Sequence, residues 1–397
     1  MSNFRWYESY MVTKKIEGID GLRAIAVIAV ILFHNRILDL GWVGVWIFFG
    51  ISGFVITISL SSSLIGNSIS SKMKVFYIKR VLRIAPLYLL LIVFSIPFII
   101  LNHQYIDHIP YLLTATYNFY RISTYYQNTD LFGHYWSLCV EEQFYFIYPV
   151  LFFALSGRQL RRLLIAIIVV APAVRYATAL SASAVGMSPD HVANAVYQFS
   201  PGHFDAFAGG CLIALERHRV ATSAWLRGHF GWLVAAGAAI LTGYILINIH
   251  MRGTSLHSAL AAAFSVNVQG ETDQILLYSM LNIMTCLLII GILCRVPYVV
   301  QPLSNLALNF IGKISYGIYM IHLPLLAIYR GGLRFVWGEE IFAGGVPWWT
   351  AFAAYLLILF VLSVMSFRYF ESYFLSKQAY FAERIASTQQ VALNRHG

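Results

Sequence analysis

The chain has 397 residues, 59% of them hydrophobic and only 11% charged, with a net charge of +10 and a mean hydropathy of +0.69. A soluble domain carries about 25% charged residues, so this composition excludes an ordinary soluble enzyme and points to helices crossing a bilayer. The positive charge does not indicate nucleic acid, because no basic patch with interleaved aromatics forms a soluble module.

A helix that crosses a ~30 Å hydrocarbon core needs roughly 20 apolar residues. Ten runs read as spans, at about 22–38, 42–60, 84–101, 136–155, 163–183, 203–215, 230–249, 275–294, 311–329 and 348–367, the sixth being short. Residues 109–120 are a weaker run, re-entrant or interfacial. The expected fold is therefore all-α: one polytopic transmembrane bundle over 1–397, with spans from about 22 to 370 and short cytoplasmic tails at 1–20 and 371–397. With the N-terminus inside, 21 of the 27 lysines and arginines fall at the cytoplasmic face. The exceptions are Arg36, Arg121, Arg175, Arg252, Arg330 and Arg334. That asymmetry is the positive-inside rule, and it places both termini in the cytoplasm. Glu8, Lys14, Lys15 and Glu17 ahead of the first span argue against a cleavable signal. Cys139, Cys211, Cys286 and Cys294 all fall in spans without metal spacing, so they read as small packing residues. No metal site and no bound cofactor are expected.

The first span, in GLRAIAVIAVILFHNRI, carries Arg23 and His34 eleven positions apart. That spacing puts both on one helix face, about 16 Å apart along the axis. Ionisable groups in a span usually face the bundle interior. Arg23 also reads as an interfacial anchor, whereas His34 among apolar neighbours reads as a base or proton relay. In the second span, Gly41, Gly44, Gly50 and Gly53 allow a close approach, by another helix before any chain-like ligand. Ser52 is a candidate nucleophile to which spacing assigns no base. Below the third span, Arg80 and Arg83 share a face, with Pro86 placed as in a first helical turn. They are either a positive-inside collar or a clamp for the phosphates of a cytoplasmic donor.

The fourth span, in GHYWSLCVEEQFYFIYPVLF, holds Trp136, Glu141, Glu142 and Tyr145. Glutamates at membrane depth are costly and mark function; here one of them is expected to orient His34 and offset its imidazolium. Asp205 at the sixth span and Tyr316 and His322 in the ninth complete the set of supporting residues.

In sequence order, IDGLRAIAVIAVILFH, GWVGVWIFFGISGF, KRVLRIAP, HYWSLCVEEQFYFIYP, FDAFAGGCLIA and ISYGIYMIHLPLL resemble the successive motifs of the acyltransferase-3 family of integral membrane O-acyltransferases. The resemblance implies ten spans and transfer of an acyl group, usually acetyl, from cytoplasmic acyl-CoA. The acceptor implied is a sugar hydroxyl of surface polysaccharide, lipopolysaccharide or an exported glycolipid. It places Arg23 and His34 at the active centre, counts Arg80 and Arg83 among the residues needed for activity, and favours Glu141 over Glu142. The reading that follows makes His34 the general base, or one member of an acyl-enzyme relay, with Glu141 behind it and Arg23, Arg80 and Arg83 on the CoA phosphates. A bacterial cytoplasmic membrane is the expected location. Many family members carry a further extracytoplasmic hydrolase-like domain, which is not expected here; either a separate extracytoplasmic transferase partner completes the reaction or this subgroup works alone. His203 stands where the family often has arginine, and FESYF near 370 lacks a following proline. A transporter or flippase of acyl or lipid-linked sugar cargo is the alternative reading.

Overall fold

A computed structural model describes residues 16–62, 68–101, 106–123, 125–126, 129, 131–252 and 273–393. Arg5, Lys14, Lys15 and Arg395, counted above toward the cytoplasmic face, lie outside the described residues, as do the outer ends of both expected tails. Every regular element among the described residues is helical. In chain order they are α1 (Ile19–His34), α2 (Val43–Ser62), α3 (Ile69–Leu101), α4 (His108–Leu113), α5 (Tyr117–Ile122), α6 (Tyr135–Ala154), α7 (Gly157–Ala184) and α8 (Pro189–Gln198). There follow α9 (Phe204–Leu215), α10 (Arg217–Thr222), α11 (Ala224–Arg252), α12 (Asp273–Leu293), α13 (Pro297–Leu303), α14 (Leu306–Trp337), α15 (Gly345–Met365) and α16 (Ser372–Leu393). A π-helical turn at Ser366–Glu371 joins the last two.

Seven of these stretches are long and apolar enough to cross a membrane, and they fall on seven of the ten expected spans. The other three expected spans are α1, α6 and α9. With 16 and 12 residues, α1 and α9 reach only ~24 and ~18 Å at 1.5 Å per residue, less than a ~30 Å core. α6 is longer, but Glu141, Glu142 and Gln143 dilute its apolar run. One boundary also differs: α3 starts at Ile69, so the basic stretch before the third span is helix and Pro86 lies in the helix interior rather than a first turn. Proline is tolerated inside membrane helices; two residues before it, the Tyr316 hydroxyl donates to the Ile84 carbonyl at 2.6 Å.

The chain divides into two compact units that interleave in sequence. The first comprises Met1–Ser62, Pro110–Tyr126 and Tyr135–Gly312. Its centre is α2, which packs against α1, α6, α9 and α12. The three glycines of α2, with Gly41 in the 3-10 turn Asp39–Trp42 just before it, do what the helix-packing reading expects. A Cβ at Gly41 or Gly44 would strike the α1 backbone at Ala29 or Ala26, and one at Gly53 would strike the Phe207 carbonyl of α9. Gly50 faces Thr285, 2.6 Å from where its Cβ would stand. From the α9 side, a Cβ at Gly210 would run into the Gly50 carbonyl. Around this seam Leu22, Ile51, Phe54, Ile213, Ile289 and Leu303 close an apolar cluster. Gly53→Ala is expected to lower stability by about 1–3 kcal/mol, the usual cost of overpacking. Thermal unfolding in detergent checks this; an unchanged midpoint would mean that the helices are further apart than described.

Polar side chains fasten the shorter elements. The Gln143 amide donates to the Ala115 carbonyl at 2.7 Å and to Asn118 at 2.9 Å, tying α5 to α6. Ser200 donates to Gln143 at 2.6 Å, and Asn118 donates to the Gln198 carbonyl at 3.0 Å. The expected interfacial run is thus two short helices with Tyr117, Asn118 and Tyr120 buried. Ser156 and Gln159 form a capping box at the start of α7, and Ser188 followed by Pro189 starts α8.

The second unit comprises Ser63–Ile109, Gln127–His134 and Lys313–Gly397. Within it α3 lies along α16, where Gln378 donates to the Lys79 carbonyl at 2.9 Å. Tyr329 and Tyr355 tie α14 and α15 together through the Ala351 and His322 carbonyls, at 2.8 and 3.0 Å.

Candidate active site

His34 is the last residue of α1 and is half-buried. Its Nδ1 lies 2.9 Å from the Val30 carbonyl one turn back. A carbonyl only accepts, so Nδ1 carries the proton, and in the neutral ring Nε2 is then the basic nitrogen. Arg23 stands on the same unbroken helix, with its guanidinium 4.0 Å from Asp20. Helical geometry keeps the two on one face, as the spacing predicts.

Glu141 is placed differently from expectation. Its Oε1 accepts hydrogen bonds from both Ser52 and Tyr145, and among the described residues these are its partners. The helix register explains why His34 is not one of them. Gly41 against Ala29 and Phe33, and Gly44 against Ala26 and Val30, set α1 and α2 antiparallel. Continued along α2, that register brings Ser52 level with the first turn of α1, where Ile51 and Phe54 pack with Ile19 and Leu22. His34 is then roughly 20 Å further along the axis at 1.5 Å per residue. The imidazole Nδ1 thus lies against the Val30 carbonyl, and the Glu141 carboxylate against Ser52 and Tyr145. Glu142, the next residue, is half-buried.

Trp136 is buried at the start of α6 in an aromatic group. Its ring centroid is 6.4 Å from Trp46, 4.6 Å from Tyr197 and 5.6 Å from His203. His203 itself is wholly buried, with Nε2 2.9 Å from the Tyr197 carbonyl. Asp205 is 2% exposed and paired with Arg175, which is fully buried in α7. Arg175 also donates through Nε to the Gly202 carbonyl at 2.7 Å and through Nη1 to Ile275 O and Ser279 Oγ, both at 2.8 Å. The guanidinium that meets Asp205 therefore comes from α7 and not from position 203. Sequence reasoning passed over Arg175, although an arginine inside an apolar run was the available signal.

In the second unit, Arg80 and Arg83 lie one turn apart on α3, both half-buried, and the Arg80 guanidinium sits 5.7 Å from the Phe76 ring centre. Tyr316 holds the α3 backbone next to them. His322 is wholly buried on α14, its Nδ1 2.5 Å from the Tyr319 carbonyl. Its ring centre is 4.8 Å from that of His134, a buried histidine that the sequence reading left out.

Long apolar helices with ionisable residues paired in their interior define a polytopic integral membrane protein. This one belongs to the acyltransferase-3 family, whose model, described as an acyltransferase domain, matches residues 16–368. Among curated proteins the chain is 26% identical over 345 residues to a candidate O-acetyltransferase of Staphylococcus aureus strain COL, covering 82% of this chain and 53% of that protein. It is 25% identical over 342 residues, with the same shares covered, to the O-acetyltransferase OatA of S. aureus strain NCTC 8325. Over 152 residues it is 33% identical to YrhL of Bacillus subtilis, named as a candidate peptidoglycan O-acetyltransferase, covering 34% of this chain and 23% of that one. The chain thus spans about half the length of the first of these relatives. No solved structure matches it.

Proposed function

We propose that the chain is a membrane O-acetyltransferase that moves an acetyl group from acetyl-CoA to a sugar hydroxyl of a cell-surface glycan. The observation that carries the reading is the His34 ring, whose Nδ1–H is held by the Val30 carbonyl. That contact directs a basic Nε2 away from its own helix, the tautomer a general base needs. In the reaction, Nε2 takes the proton of the acceptor hydroxyl as its oxygen attacks the thioester carbonyl. The carbon–sulfur bond breaks, and the CoA thiolate leaves and recovers a proton. Arg80 and Arg83 are assigned to the donor's phosphates, which paired guanidiniums match bidentately; Arg23 adds positive charge on the helix that bears the base. Family membership and the names of the relatives support acetyl transfer. The name of the Bacillus protein brings peptidoglycan in as an acceptor class beside lipopolysaccharide and exported glycolipids. A bacterial cytoplasmic membrane supplies both the cytoplasmic donor and the outward acceptor.

The test is thiol release from acetyl-CoA by the purified chain in lipid nanodiscs, with a panel of muramyl, lipopolysaccharide and glycolipid acceptors. Acceptor-dependent release with a matching acetyl ester by mass spectrometry is expected. Transport of labelled glycan without any thiol release would overturn the reading in favour of a transporter.

A further inference from the structure

Three buried side chains of the first unit carry polar atoms with no hydrogen-bond partner among the described residues, and they share one neighbourhood. Trp46 of α2 and His203, which ends the turn ahead of α9, are wholly buried, and Asn282 of α12 is 6% exposed. The unanswered atoms are the indole Nε1, the imidazole Nδ1 and both ends of the Asn282 amide. Tyr278 stands among them. Its ring centre is 4.6 Å from that of Trp46 and 5.9 Å from that of His203, and the Trp46 and His203 rings meet edge-on at 5.2 Å. Asn282 lies one turn beyond Tyr278 on the same face of α12, and Thr285, the next residue on that face, is the one that meets Gly50. Asn282 therefore faces α2 between Trp46 and Gly50.

The four atoms are complementary in kind. His203 Nε2 is 2.9 Å from the Tyr197 carbonyl, so it carries the proton of the neutral ring and leaves Nδ1 a bare acceptor. The indole offers one donor, and the amide offers both donors and an acceptor. Turning the amide over exchanges its two ends and removes neither. Each such group is costly when it stays unanswered in an apolar interior. An indole edge on a ring face is a weak partner for its N–H, and it does nothing for Nδ1 or for the amide. The nearby ion pair of Arg175 and Asp205 is engaged with its own protein groups. Buried polar atoms that the chain itself does not pair are answered by internal water, which makes about three hydrogen bonds, and ordered water serves the same purpose between membrane helices. We propose that Trp46, His203 and Asn282 form a binding site for ordered water that joins α2, the turn before α9 and α12. The water donates to His203 Nδ1 and to Asn282 Oδ1 and accepts from the indole and from Asn282 Nδ2. Roughly one or two molecules answer all four atoms.

Water-edited solid-state NMR on the full chain in lipid bilayers, with isotope-labelled tryptophan and histidine, tests this without altering the site. Trp46→Phe and His203→Phe assign the two signals by their loss. Transfer of magnetisation from water to the Trp46 indole proton is expected, with the His203 Nδ1 resonance displaced towards that of a nitrogen accepting a hydrogen bond. Asn282→Leu keeps the volume and removes both amide atoms. It is expected to shift the His203 Nδ1 resonance and to lower the midpoint of thermal unfolding in detergent, because the water loses partners. An amide that was simply stranded gives the opposite sign, since an apolar replacement then leaves the midpoint unchanged or raises it. Absence of transfer from water to the indole overturns the proposal, and so does an Asn282→Leu midpoint at or above that of the wild type. Should Asn282→Leu fail to accumulate, the transfer experiment on the unaltered chain decides alone.

Discussion

His34→Gln is expected to abolish nearly all acyl transfer, by roughly 10²- to 10⁴-fold, the usual contribution of a positioned general base. Glutamine keeps a hydrogen-bonding group at the end of α1 but cannot take a proton near neutral pH. Donor binding should survive, because the phosphates are assigned to Arg80 and Arg83 on α3. The loss should therefore appear in kcat at saturating donor and acceptor, with the variant accumulating normally in the membrane. Near-wild-type turnover would remove His34 from the chemistry. Glu141 would not inherit the role by proximity, since its carboxylate is engaged with Ser52 and Tyr145 at the opposite end of α1.

Arg175→Met should be the most damaging substitution for the fold. It strips the cation from Asp205, which is 2% exposed, and removes donors from the Gly202 and Ile275 carbonyls. Removing one partner of a buried ion pair typically costs about 3–5 kcal/mol, because the remaining charge stays buried. Replacing both, as Arg175→Met with Asp205→Leu, should recover much of that loss, since neither charge is then stranded. Thermal unfolding in detergent separates the two cases. Asp205→Asn offers the converse check. Full stability with lost transfer would give Asp205 a part in the reaction, and parallel loss of both would leave it a fastener of α7, α9 and α12.

Most of the helical architecture was legible in the sequence because a lipid environment demands long apolar runs. The seven long apolar stretches are such runs, and each overlaps an expected span. The inner helices were harder to place as spans for the same reason: α1 and α9, wrapped by others, need not be long. Motif spacing showed Arg23 and His34 to share one face of one helix, which needs only the 3.6-residue period. It could not show that Glu141 meets Ser52, since that contact depends on how α2 and α6 sit against each other. Arg175 was missed for a related reason. It acquires meaning from Asp205 on another helix, and no local pattern announces that partner.

The glycine seam of α2 has a consequence for motion. Where a carbonyl oxygen occupies the space of a missing side chain, one helix cannot slide or ratchet past the other without backbone collision, and there are no flexible side chains to absorb the step. α1, α2 and α9 therefore move as one rigid block, and their amide protons should be among the last to exchange with deuterated solvent. A carrier that alternates between two openings needs packed elements with two stable arrangements, and the glycine contacts of this block oppose any sliding between its helices. Any large rearrangement falls to elements outside it, while the His34 ring at the end of α1 keeps a fixed place relative to α2.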